Sequence, residues 1–198
     1  MLDDPRLIRL QRTLAYRPAK RVRDRAGAWE AAVSIVIRPR DDLELLLIRR
    51  AERETDPWSG HMALPGGRRD PTDPDLVATA FREADEETGV ALARYGHLLG
   101  MLDELHPRNP RLPSVTVAPF VVGVPPDTTA KPDEQEVSAA LWVPLSALRA
   151  LEARDEILVE LEEGPRAFPS FRYGEHVIWG LTHRILSQFF SIVEESGL

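Results

Sequence analysis

Residues 82 to 90 run Arg-Glu-Ala-Asp-Glu-Glu-Thr-Gly-Val, a string in which Glu83, Glu86 and Glu87 stand at i, i+3 and i+4. On a helix those offsets fall within one patch of surface. Three carboxylates so close together repel one another unless a divalent cation or an arginine offsets their charge. Hard oxygen ligands select Mg²⁺ or Mn²⁺, ions that commonly bridge a carboxylate cluster to the phosphates of a substrate. Arg82, four residues before Glu86, is spaced to pair with it and hold the cluster in place. An ordinary solvated helix face would also carry three glutamates. What separates the two readings is the flanks: Pro65-Gly66-Gly67 ahead of the string and Gly89 inside its end.

The elements that must position these groups follow from periodicity and punctuation. Ala31 to Arg38 and Leu43 to Arg50 are strand-like runs separated by Pro39-Arg40-Asp41-Asp42, which reads as a hairpin. Met62 to Leu64 is a short extended piece leading into the glycine pair. Leu76, Val77, Ala80, Phe81 and Ala84 recur at helical spacing, so the helix carrying the glutamates packs on a sheet by its opposite face. Asp73 suits its N-cap, Pro74 its first position and Gly89 its stop. Further strands are expected at Gly96 to Leu102, Val115 to Val124 and Ala139 to Val143, a short helix near Leu145 to Ala150, and a final amphipathic helix from Ile178 to Val193. This order predicts an α/β fold (α+β in the stricter sense), with a central mixed β-sheet between helices.

Bulk properties agree with one compact domain. The chain has 198 residues, 43% hydrophobic and 29% charged, and lacks cysteine, which excludes disulfides, thiolate metal sites and cysteine nucleophiles. No apolar run approaches the roughly 20 residues of a membrane span, and a cytoplasmic setting suits the composition. The net charge of -7 argues against a general nucleic-acid binder, which needs a basic stripe. Residues 6 to 25 are the local exception, with Arg6, Arg9, Arg12, Arg17, Lys20, Arg21, Arg23 and Arg25 against the single acid Asp24. A targeting peptide fits poorly, given Asp3 and Asp4 at its head and no serine. A patch for an anionic ligand and a surface helix docked by Leu7, Leu10 and Leu14 remain, and the second is the simpler. We therefore expect a basic helical segment over residues 1–30, packed on a domain spanning 31–198. A homodimer stays open.

With Gly67 at its head, the string from Arg82 to Val90 resembles the Nudix hydrolase signature: a Gly, five residues, a Glu, seven residues, then Arg-Glu-apolar-x-Glu-Glu-x-Gly-apolar. The second half fits at every fixed position. The first half departs, with Asp73 in place of the Glu and eight residues before Arg82. An upstream stretch is similar to the motif of coenzyme A diphosphatases, LLTxR(S/A)xxxRxxxGxxxFPGG. Here it reads Leu46-Leu47-Ile48-Arg49-Arg50-Ala51 and then Gly60-His61-Met62-Ala63-Leu64-Pro65-Gly66-Gly67, one residue longer between Ala51 and Gly60 and lacking the internal arginine at its spacing. Glu136-Val137-Ser138 and Ile178-Trp179-Gly180-Leu181-Thr182 resemble two later segments of the same enzymes.

The resemblance implies an α/β/α sandwich and metal-dependent hydrolysis of a diphosphate bond. It implies that Glu83 and Glu87 coordinate the main ion, that Glu86 shares a second ion or binds through water, and that the Gly66 carbonyl completes a site. A loop glutamate, Glu134 or Glu136, falls where such enzymes place their general base. Arg50, Trp58 and His61 are candidate substrate contacts, Trp58 as a wall for a base or a pantetheine arm. The other histidines show no paired metal spacing. The implied substrate is a small nucleoside diphosphate derivative, coenzyme A or acyl-coenzyme A first, with ADP-ribose, NADH or nucleoside triphosphates as alternatives. A module that senses a nucleotide without hydrolysing it is the reading of another class, and retention of all three carboxylates argues against it.

Overall fold

A computed structural model describes residues 3–23, 27–52, 59–107, 114–161 and 164–198. The elements run α1 (Pro5–Tyr16), β1 (Trp29–Pro39), β2 (Leu43–Arg50), β3 (Met62–Ala63), β4 (Gly66–Arg68), α2 (Leu76–Thr88), α3 (Leu92–Tyr95), β5 (His97–Met101), β6 (Val115–Gly123), β7 (Val137–Pro144), α4 (Leu145–Arg149), a 3-10 turn at Leu151–Ala153, β8 (Arg154–Leu161), β9 (Gly164–Tyr173), β10 (His176–Trp179) and α5 (Gly180–Glu195).

The sheet that carries the site is mixed. β1 pairs in parallel with β6 along its whole central run, from Trp29↔Val115 to Ile37↔Gly123, and β6 pairs antiparallel with β5. On its other edge β1 forms the expected hairpin with β2, but only from Ile37↔Leu45 to Pro39↔Leu43. Beyond that the two strands part. β3 pairs with β2 at Ile48 and Arg49, β4 pairs with β1 from Ala31 to Val33, and β7 closes the far side of β2. The glycine segment is thus wedged into a fork between β1 and β2, with Ser34 N–H donating to the Pro65 carbonyl at 2.8 Å and Arg50 N–H to the His61 carbonyl at 3.0 Å.

Alternation along the strands divides the core in two. Ile35, Ile37, Leu45, Leu47 and Val121 face α1 and α5, while Ala32, Val36, Leu46, Phe120 and Val122 face α2. Helices cover both faces, giving the α/β/α sandwich. Small residues set α2 close to the sheet: Ala80 and Ala84 are fully buried, and Ser34 Oγ donates to the Ala80 carbonyl at 3.0 Å. Leu7, Leu10 and Leu14 of α1 are buried in the other layer. Three charges of that segment are paired within the fold: Arg6 with Asp4, Arg17 with Asp103 and Arg21 with Glu104.

Three expectations are corrected. α2 begins at Leu76 with Asp75, not Asp73, as its N-cap, since Asp75 Oδ1 accepts from Ala78 N–H at 2.8 Å while the Asp73 carboxylate is engaged elsewhere. Ile178 is a strand residue of β10, and α5 starts at Gly180, whose φ of +64° turns the chain out of the strand. The third is larger: β8, β9 and β10 form a separate antiparallel sheet in the order β10-β9-β8, absent from the sequence-based layout. Pro165 and Pro169 mask β9 from pattern reading. Both fall where β9 pairs with β8 alone, outside the Ser170–Tyr173 stretch that also pairs with β10, so a missing N–H is tolerated.

Candidate active site

Glu83 and Glu87 leave α2 on the side facing the glycine wedge and line the cavity there, whereas Glu86, held by Arg82, does not line it. Glu87 is 4% exposed and accepts a hydrogen bond from Gly66 N–H on Oε2 at 2.9 Å. Burial pushes its carboxyl up to about 8, with the neighbouring Glu83 and Glu136 adding to the rise. It is not the surface charge that spacing alone suggests. Glu83 is mostly covered, and its carboxyl is also raised by burial, opposed by Arg82. Glu86 is more than half exposed.

The glycines are required by contact. A Cβ on Gly66, whose φ is +153°, would stand 2.3 Å from the Ala32 carbonyl oxygen and 2.6 Å from Val33 Cα. A Cβ on Gly67 would meet the Glu83 carboxylate at 2.5 to 2.6 Å. The first glycine lets the wedge seat in the fork; the second leaves room for a glutamate.

Arg82 organises the acidic face. Its Nη1 donates to Glu83 Oε1 at 2.9 Å and Glu86 Oε2 at 2.8 Å, its Nε and Nη2 grip the two oxygens of Asp73, and Nη2 also reaches the Arg68 carbonyl. Asp73 therefore anchors the arginine, and the guanidinium beside it holds its carboxyl well below the ordinary range. Sequence reading missed this role because a one-residue offset from the signature made Asp73 resemble a helix cap.

Glu136 is exposed and lines the same cavity of about 190 Å³ as Glu83, Glu87, Gly66, Gly67 and Arg50; Glu134 does not line it. Its loop is tied down from both ends of the site. Lys131 N–H donates to the Thr88 carbonyl and Asp133 N–H to that of Glu87, at the C-terminus of α2, while Ala51 N–H, just past β2, donates to the Glu136 carbonyl. Among the described residues no three acidic or imidazole groups converge into a closed metal cage. The acids instead ring a small open cavity in which two carboxyls are destabilised as anions, so a divalent cation that keeps several of its waters fits this donor set.

A second, larger cavity of about 680 Å³ adjoins the first and shares Arg50, Gly66 and Arg68 with it. Its walls are apolar: Leu64, Val159, Phe168, Trp179, Leu181 and Ile185 among others. His61 lies here, edge-on to Trp179 with ring centroids 5.2 Å apart, and Phe168 is 5.8 Å from the same indole. Arg68, stacked 3.7 Å over the exposed Trp29 ring, is a member of both cavities that no motif singled out. Val159, Leu161 and Phe168 come from the unanticipated β8–β9 pair. Trp58 lies outside the described residues.

The site thus joins a glycine wedge, a carboxylate helix and a fixing arginine on an α/β/α sandwich. Comparison with known proteins gives the family: the NUDIX domain model matches residues 28–161, and the chain belongs to that family. It is 30% identical over 177 residues to the Nudix hydrolase NudL of Photorhabdus laumondii, covering 89% of this chain and 90% of that protein. It is 33% identical over 150 residues to the human mitochondrial coenzyme A diphosphatase NUDT8, covering 73% of this chain and 60% of the human one. A fission-yeast protein, C14C4.10c of Schizosaccharomyces pombe, is 37% identical over 131 residues, or 64% of this chain but 40% of the yeast protein. A MutT/nudix family structure from Enterococcus faecalis shares the fold with a TM-score of 0.58 at 17% identity, covering 91% of this chain and 66% of that one.

Proposed function

We propose that the protein hydrolyses the diphosphate bond of a nucleoside diphosphate derivative with Mg²⁺ or Mn²⁺, and that coenzyme A or an acyl-coenzyme A is the substrate. The products are adenosine 3',5'-bisphosphate and 4'-phosphopantetheine or its acyl form. One observation carries this reading: the carboxylate cavity adjoins an apolar one, and Arg50, Gly66 and Arg68 line both. A substrate with a polyanionic nucleotide end and a long, weakly polar arm matches that pairing. Likeness to the human coenzyme A diphosphatase supports the same choice.

In this reading Glu83 and Glu87, with the Gly66 carbonyl, would hold the cation, and Glu86 would serve a second ion directly or through water. The bound cation supplies neutralisation of the phosphate oxygens and makes water more acidic. Arg82 acts as a positioning residue by fixing Glu83 and Glu86. Glu136 accepts the proton from the attacking water as the new P–O bond forms, and the bridging P–O bond breaks with the second phosphate departing as an anion. Arg50 and Arg68 orient the phosphates, while His61, Trp179 and Phe168 take the pantetheine arm.

A panel of coenzyme A, acetyl-coenzyme A, ADP-ribose, NADH and nucleoside triphosphates, incubated with Mg²⁺ or Mn²⁺, tests this directly. The coenzyme A compounds are expected to turn over with the highest kcat/KM. Preference for ADP-ribose, NADH or a triphosphate would keep the chemistry and overturn the substrate. Tight nucleotide binding with no turnover on any of them would make the chain a sensing module.

A further inference from the structure

A separate cavity of about 380 Å³ lies between α5 from His183 to Glu194, the start of β8, β9 at Pro169, Ser170 and Phe171, and the end of α4. It shares no residue with either cavity of the candidate active site. Its volume is in the range that accepts a small organic molecule. Phe171 and Phe190, edge-to-face with centroids 5.3 Å apart, and the buried Leu148 supply an apolar wall.

The polar groups point to the sign of the ligand. Arg149 and Arg154 line the cavity, and neither forms an ion pair or a side-chain hydrogen bond with any described residue. Of the two carboxylates present, Asp155 is already matched by Arg172, Nε to Oδ2 at 2.7 Å, which leaves Glu194 alone against two guanidiniums. Ser170 adds an independent observation: it is 2% exposed, lines the cavity, and its Oγ has no hydrogen-bond partner. A buried hydroxyl left unpaired is costly and uncommon, and a ligand oxygen would satisfy it. His183 adds a ring to the same wall, 4.4 Å from that of Phe171, and burial lowers its pKa.

We propose that this cavity is a second ligand site, selective for a small organic carboxylate, whose oxygens are held by Arg149, Arg154 and the Ser170 hydroxyl and whose hydrocarbon part lies on Phe171 and Phe190. Guanidinium and carboxylate match in shape as well as charge, which favours a carboxylate over a bare cation or a neutral chain.

Calorimetric titration of the full chain with hexanoate, hexanol and inorganic phosphate tests it. Hexanoate is expected to saturate at about one per chain and to bind at least about tenfold more tightly than hexanol or phosphate, a difference of about 1.4 kcal/mol. The double variant Arg149→Gln/Arg154→Gln, checked for folding by circular dichroism, should abolish that preference, and Ser170→Ala should weaken hexanoate alone. Phe168→Ala, in the other apolar cavity, should leave it unchanged. Equal binding of hexanol or phosphate, no hexanoate binding, or hexanoate binding lost in Phe168→Ala but kept in the arginine double variant would each overturn the proposal. The wild-type comparison of hexanoate with hexanol stands even where a variant fails to fold.

Discussion

Arg82 and Asp73 meet through two parallel hydrogen bonds, Nε to Oδ1 at 3.1 Å and Nη2 to Oδ2 at 3.0 Å. The carboxylate is 7% exposed and also accepts from Asp70 N–H, so one end of the guanidinium is fixed before the other reaches Glu83 and Glu86. A fork held on one side presents its remaining N–H groups in a set direction, which a lysine cannot do.

Asp73→Asn should therefore lower kcat by roughly 10–100-fold, the usual scale for a group that orients metal-site ligands, with a smaller change in KM. The acid limb of stability should change too. The Asp73 carboxyl is held below its ordinary value by Arg82, so its contribution is complete above the unfolded pKa and disappears as pH falls through the lower folded one. Acid unfolding followed by circular dichroism should show a shallower loss in Asp73→Asn than in the parent chain. An unchanged acid limb together with unchanged kcat would remove Asp73 from the site.

The two glycines of the wedge separate a folding defect from a binding defect. Gly66→Ala drives a methyl into the β1 backbone and should cost about 1–3 kcal/mol or more in urea unfolding, because Ala32 and Val33 cannot retreat without breaking the β1–β6 ladder. Gly67→Ala presses only on the far end of Glu83, which can swing away. Stability should then hold nearly level while Mg²⁺ affinity falls, measured by calorimetry on the same samples. Equal loss of stability in both variants would contradict this division.

Glu87 makes pH and metal interdependent. Its carboxyl sits near 8 through burial, far above its ordinary 4.5, so in metal-free protein its contribution to stability is complete below the ordinary value and is lost as pH rises through about 8. A bound cation favours the anion and reverses that loss. Thermal midpoints in chelator should fall between about pH 4.5 and about pH 8, and saturating Mg²⁺ should flatten the fall, with proton release on binding. Glu87→Gln should remove the slope and the Mg²⁺ response together while keeping the fold, since a neutral amide accepts the Gly66 N–H as well. It should also lower turnover by at least roughly 10²–10³-fold, the scale of a lost transition-state contact.

The acidic face was legible because helix spacing is local: Glu83, Glu86, Glu87 and Arg82 share one short element, whereas Gly66-Gly67 alone read as no more than a turn. The β1–β2 hairpin followed from two strand-like runs and the turn residues between them. What escaped was set by pairing at a distance. Asp73 could be assigned to Arg82 only once the 70–73 turn was seen to fold back onto α2. Glu136 and Glu134 were indistinguishable until the loop was seen anchored at Thr88, Glu87 and Ala51. The β8–β9 pair carries prolines and alternates weakly because its own faces are largely exposed, so neither period nor propensity revealed it.

That hairpin bears the last prediction. Phe168 stands on β9 against Trp179 and helps to wall the apolar cavity, and it is not among the residues lining the carboxylate cavity. If the cavity receives the arm of the substrate, the phenyl group contributes to binding and not to the phosphoryl chemistry. Phe168→Ala should then raise KM for coenzyme A and acyl-coenzyme A about tenfold, equivalent to about 1.4 kcal/mol, with kcat little changed. Turnover of a short diphosphate such as ADP-ribose, however slow, should not respond, because it leaves the apolar cavity empty. A parallel rise in KM for both substrate types would mean that Phe168 acts by holding the β8–β9 pair in place, and the cavity would lose its claim to the pantetheine arm.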